Sequence, residues 1–161
     1  MRKRTPKMSI ATSVRYGNYK HLYNTAEKYA NITESKFDEI CNYINLPTKL
    51  NIVFRPIRNA YGRAFYVTHK GDRNDKQFIV DIDLRQNLKT FQDTLLHELV
   101  HIEQFYEGRL VSEAGLGNFF KWYKERISLK VSSPEEYDEF PWEKEAISRS
   151  KELRKIIFKV K

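Results

Sequence analysis

A single cysteine among 161 residues leaves no internal disulfide to form, which suits a reducing compartment. Cys41 stands among Phe37, Ile40 and Ile44 and reads as a small buried hydrophobe, not a nucleophile. No run approaches the ~20 apolar residues of a membrane span, and the charged residues 1–7 lead into no apolar segment of the kind a secretory signal needs. The expected location is therefore cytoplasmic. Internal repeats, low-complexity blocks and shifts of composition are also missing, so one domain is expected over residues 1–161, with basic ends at 1–7 and 149–161. Histidine is scarce: there are only four, His21, His69, His97 and His101, and none follows position 101.

What is present supports a packed globule, with 40% hydrophobic and 14% aromatic residues. The net charge of +8 suggests a polyanion partner until it is located. Residues 1–7 hold four Lys/Arg and no acid, residues 149–161 hold six and one Glu, and the remaining body is close to neutral. The ends are read as solvated first, with nucleic-acid contact as the lesser expectation, because neither interleaves the aromatics of a stacking platform.

His97-Glu98-Leu99-Val100-His101 is the segment that points to a chemistry. On a helix, positions i and i+4 stand one above the other, so both imidazoles can reach one ion. Glu98 lies about 100° round from His97, where it can serve as a base without becoming a ligand. Thr90 to Asp93 reads as a capping box opening this helix and Gly108 as its stop. Apolar residues on most sides of it predict a central, buried helix.

Around it, two short helices are expected at 19–30 and 34–45, and strands at 50–54, 63–68 and 77–84, the last two joined by a polar loop over 69–76. Downstream, the small-residue stretch 113–118 precedes an expected amphipathic helix over 119–129, and Pro134 and Pro141 open further helices. The fold class is then α+β, with a small antiparallel-containing sheet packed on the central helix and further helices around it.

A catalytic zinc usually takes three protein ligands, and with no histidine after position 101 a carboxylate on a later helix is the remaining common solution. Glu143 and Glu145 flank the apolar stripe of the Pro141 helix at similar angles, taking Trp142, Ala146, Leu153, Ile156 and Ile157 as that stripe. Glu143, in the first turn, is accounted for by the helix dipole alone, which favours Glu145.

With Asp93-Thr-Leu-Leu before the motif and Trp142-Glu-Lys-Glu145-Ala146 after it, the chain resembles the small gluzincins, among them compact metallopeptidases of phages and bacteria. That resemblance implies a zincin-like fold, His97, His101 and Glu145 as zinc ligands, Glu98 as general base, and hydrolysis of a protein or peptide substrate. The run Asp-Thr-Leu-Leu-His-Glu-Leu-Val-His is also similar to SprT-like proteases, which act on DNA-bound proteins and take a downstream histidine as third ligand. In zincins generally an edge strand before the metal helix aligns the peptide, and residues 77–83 are the expected counterpart. Tyr137 is a weaker candidate for stabilising the oxyanion. The alternatives are a non-catalytic binding or assembly protein associating with nucleic acid or a larger particle, and a structural zinc domain with a closed four-ligand site.

Overall fold

The computed structural model describes residues 7–12, 20–69, 72–112 and 119–160. Four strands, β1 (Lys7–Thr12), β2 (Lys49–Phe54), β3 (Gly62–His69) and β4 (Asp72–Ile82), form a mixed sheet in the order β1-β2-β4-β3. The first three neighbours in that order run parallel, and β3 runs antiparallel to β4. Leu50, Ile52 and Phe54 of β2 and Phe78, Val80 and Ile82 of β4 are buried at every second position. This is the period of a pleated strand. Asp81, on the other side of β4, and Asp83, just past its end, are also buried, each answered by arginine: Arg55 bonds Asp81, and Arg85 bonds Asp83 at 2.6 Å. Strands β3 and β4 reach His69 and Asp72, well into the expected polar loop, and the residues between lie outside the described ones.

Helix α1 (Tyr23–Cys41) is continuous where two short helices were expected. Ala26, Tyr29, Thr33, Phe37 and Ile40 form an unbroken buried stripe at helical spacing, so burial carries the chain through Asn31-Ile32-Thr33. The Thr33 hydroxyl donates to the Tyr29 carbonyl one turn back at 2.8 Å, which satisfies it inside the helix. Helix α2 (Leu88–Tyr106) starts ahead of the expected box: Asn87 is the cap, accepting from the Thr90 N–H at 2.9 Å. It ends as expected before Gly108, whose φ of +72° is the left-handed stop. Its central stretch is buried on nearly every side, against β3 and β4 and across α4 (Pro141–Ile157).

Residues 119–129 are not helical. They form a hairpin of β6 (Phe119–Trp122) and β7 (Glu125–Ser128), which β5 (Leu110–Ser112) extends into a three-stranded antiparallel sheet. Phe120, Trp122, Ile127 and Leu129 pack against the core at strand period. The turn residues Tyr123 and Lys124 both have positive φ, 47° and 74°, the signature of a type I′ turn. Nothing in the pair Tyr-Lys signals such a turn, so the sequence reads as helix. After the short α3 (Pro134–Asp138), capped by Ser133, Pro141 sits in the first turn of α4. The fold is α+β, and among the described residues no helix is long and apolar enough to cross a membrane.

The strained turn generates a test. Lys124→Gly should raise the urea midpoint, stabilising the chain by about 0.5–1 kcal/mol, because glycine relieves the left-handed conformation. Lys124→Val should lower it, a β-branched residue being least tolerant of positive φ.

Candidate metal centre

His97 and His101 stand one turn apart on α2, with their Nε2 atoms 3.0 Å apart. The first turn of α4 brings a carboxylate to them: Glu143 Oε2 lies 3.2 Å from His97 Nε2, and Oε1 lies 3.3 Å from His101 Nε2. A tetrahedral ion bonded at ~2.0–2.1 Å holds its ligand atoms about 3.3 Å from one another, close to all three spacings. The donor set, two imidazoles and a carboxylate, is also the chemistry zinc takes. His97, His101 and Glu143 therefore form a group that can hold a metal ion.

Gln104, fully buried, orients this group. Its amide N–H donates to the Trp142 carbonyl at 3.0 Å and to Glu145 at 3.1 Å, leaving its oxygen 2.8 Å from His101 Nδ1. That oxygen can only accept, so this network places a ring proton on Nδ1 and turns Nε2 toward Glu143 and His97.

Glu145, the expected third ligand, is not among the convergent groups. Its carboxylate accepts from Arg109 at 2.7 Å, from Gln104, and from Arg149 at 3.3 Å. Arg149 also bonds Glu103 and the Tyr43 carbonyl, so this half-buried cluster fastens α4 to α2 and to the end of α1. Glu143 takes the place assigned to Glu145, and the reason is the composition of the buried stripe. The observed stripe of α4 includes Ser150 and omits Ile156, which is 43% exposed. On a wheel of ~100° per residue, that exchange turns the stripe's centre to within roughly 60° of Glu143 and leaves Glu145 roughly 100° away on the other side. The ladder 143, 146, 150, 153, 157 was legible once a serine was admitted as buried.

Glu98 lies beside the group without joining it. Burial raises its pKa, opposed by the nearby histidines and reinforced by the charges of Glu143 and Asp81. Its place is made by Gly62 at the start of β3: a Cβ there would lie 2.7 Å from Glu98 Cγ, 2.9 Å from Oε1 and 2.6 Å from Thr94 Cγ2. Glycine is the one residue that lets β3 approach α2 this closely. At Glu143, burial pushes the pKa up, but the hydrogen bonds and charges of His101 and His97 win and hold it down at about 2. At His101, burial pulls down, and Glu143 and Glu98 overcome it to give about 9.

A cavity of about 430 Å³ opens over these side chains, bounded by Gly62 to Phe65 of β3, by Tyr137 and by an apolar wall. Burial, then the charge and hydrogen bonding of Glu143, raise the Tyr137 phenol well above its usual range and keep it protonated. The strand facing the cavity is β3, at the sheet edge; β4, which contains all of the expected 77–83 but its last residue, is interior, paired on both sides. A chain crossover placed β4 between β2 and β3, which strand composition alone does not reveal. Cys41 is half-buried, and burial with the Asp38 charge pushes its thiol up to about 11, consistent with an unreactive side chain. In the basic C-terminal end, Arg149 is committed internally and Arg154 lies 2.9 Å from Asp93, while Lys151, Lys155 and Lys159 are exposed.

No model of a known family matches the chain, and neither a curated protein nor a solved structure matches it.

Two outcomes are expected. Glu143→Gln should weaken zinc binding by at least ~10-fold to 100-fold, as for loss of a ligand or its partner, whereas Glu145→Gln should bind nearly as the parent does, both read by competition with a chromogenic chelator. The second concerns pH. The metal-free group holds a proton on His101 up to about pH 9, and a metal must displace it. Zinc affinity should therefore rise about tenfold per unit from pH 7 toward 9, with one proton released per ion, and a flat profile by calorimetry in two buffers would contradict the assignment.

Proposed function

We propose that the chain is a zinc-dependent peptidase in which His97, His101 and Glu143 hold the ion and Glu98 is the general base. The observation that carries this reading is a fourth buried ionisable group, Glu98, set against the three convergent ones yet outside them and facing the cavity. A site that only bound metal would have no use for a desolvated carboxylate in that place, and desolvation is costly. Among the described residues the convergent group has three members, which suits an open site better than a closed structural one.

When bound, zinc would supply Lewis acidity, polarising a carbonyl and acidifying water. The remaining steps belong to this chain's own residues. Glu98, set at the cavity beside the convergent group, takes a proton from the attacking water and returns it to the leaving amine. Gly62 lets its carboxylate sit against β3, whose edge can align an extended peptide by strand addition. Tyr137, a neutral donor at the cavity, faces the charge that develops on the carbonyl oxygen. The Gln104 bond keeps His101 from rotating while this happens.

A nucleic-acid or assembly role for the basic ends is the second reading, and the internal pairing of Arg149 and Arg154 removes two of the charges on which it drew. It is tested by the salt dependence of binding to a DNA duplex, which should be steep if counterions are released.

Zinc-loaded chain should cleave members of a peptide library, read by mass spectrometry. Glu98→Gln should keep the ion and lose about 10²–10⁴-fold in rate, the usual worth of a general base. Gly62→Ala should lower the rate while keeping the ion, because its Cβ would displace the Glu98 side chain. Turnover of Glu98→Gln at the parent's rate would sink the proposal.

A further inference from the structure

On the reading of this site as a peptidase, we infer that Arg63 determines specificity, selecting substrates with an aspartate or glutamate side chain within two residues of the scissile bond. Its place follows from the alternation of β3. Gly62 faces α2, where an added Cβ would meet Thr94 and Glu98, and Ala64 and Tyr66 pack against the core. Arg63, set between them, therefore projects from the opposite face of the sheet, on a strand whose outer edge is unpaired among the described residues. Because Gly62 abuts Glu98, a chain bound along this part of β3 presents the bond to be cut close to Arg63.

The guanidinium is held but not neutralised. Its Nη2 donates to the Arg58 carbonyl at 3.1 Å, which uses one of the several N–H donors an arginine offers, and the side chain is exposed. The acid opposite it in register is Asp81 on β4, yet Arg55 bonds that carboxylate, and Arg85 bonds Asp83 just past the end of the strand. Among the described residues Arg63 has no carboxylate partner, and it is the one lysine or arginine that bounds the cavity.

Strand addition at the edge turns this into a choice of substrate. A peptide laid antiparallel along β3 alternates its side chains as β3 does, so the residue directly opposite Arg63 projects from the same face, with Cβ atoms ~4.5–5.5 Å apart. There a carboxylate is attracted and a lysine repelled, while the residues on either side of it turn toward the cavity and away from this charge. The pair is exposed, so the preference is modest and weakened by salt.

The test uses zinc-loaded full-length chain and the library peptide that it cleaves fastest, blocked at both ends so that no terminal charge contributes. Each residue within two of the scissile bond is replaced in turn by glutamate, glutamine and lysine, and kcat/KM is measured at low salt. At one of these positions glutamate should exceed lysine by about threefold to tenfold, with glutamine between them. The ratio should fall toward unity as salt rises to about 1 M, where charges are screened within ~3 Å. Arg63→Glu should reverse the order at that position and Arg63→Lys should keep it; the side chain is exposed, so neither change threatens the fold. Equal rates for the three peptides at every position, a ratio that salt does not weaken, or a glutamate preference that persists in Arg63→Glu would overturn the role of Arg63 and leave the peptidase reading standing. A chain that holds zinc and cleaves no member of the library would instead remove both.

Discussion

Two imidazoles, one buried and one half-buried, and a buried carboxylate depend on one another at the crossing of α2 and α4, and that dependence sets how the second helix lies on the first. Each alone would pay heavily for desolvation; together, Glu143 stays ionised because the histidines face it, and His101 holds its proton because Glu143 faces it. Removing one member leaves the others exposed to the full cost of burial. The same three groups that can hold an ion thus also hold the helix seam in its absence, through the 3.2 and 3.3 Å contacts across it.

Around this seam runs a second layer of charge that does different work. Glu103, Glu107 and Glu145 are shared by Arg109 and Arg149, and the Asn45 N–H donates to Glu103 at 2.6 Å. The segment after α1, the last turn of α2 and the second turn of α4 are therefore tied at one place. Gln104 connects the two layers, since its amide group touches His101, the Trp142 carbonyl and Glu145. A motion of α4 along α2 would have to break this amide's bonds together with the ion pairs, which makes the first turn of α4 a rigid carrier for Glu143.

The hairpin of β6 and β7 closes the far side of the cavity. Phe120 points into it while Trp122 packs between Trp142 and Arg109, whose guanidinium lies 5.5 Å over the indole ring. One short antiparallel element thereby contributes both a cavity wall and a cover for the arginine that binds Glu145. Gly62 plays the opposite part on β3: by having no side chain it lets the edge strand lie directly on α2 at Glu98.

Much of this was legible in the residues. The spacing of His97 and His101, the place of Glu98 beside them, the burial of α2, the stop at Gly108 and the helix opened by Pro141 all follow from local rules of helix geometry and capping. Where local rules ran out, tertiary packing decided. Residues 119–129 carry enough apolar positions to suit either period, and only pairing with β5 and burial against the core made them strands. Thr33 and Ser150 are polar by type yet buried, because each finds a carbonyl within its own helix; admitting them joins α1 into one helix and turns the α4 stripe toward Glu143. By itself the sequence determined that two histidines would share one helix face, since that is fixed by helix period, and with no later histidine it pointed to a carboxylate as their partner. Which carboxylate arrives, and which strand lies at the sheet edge beside it, depended on the rotation of α4 about its axis and on the crossover order of the sheet, and both are set by contacts between residues far apart in the chain.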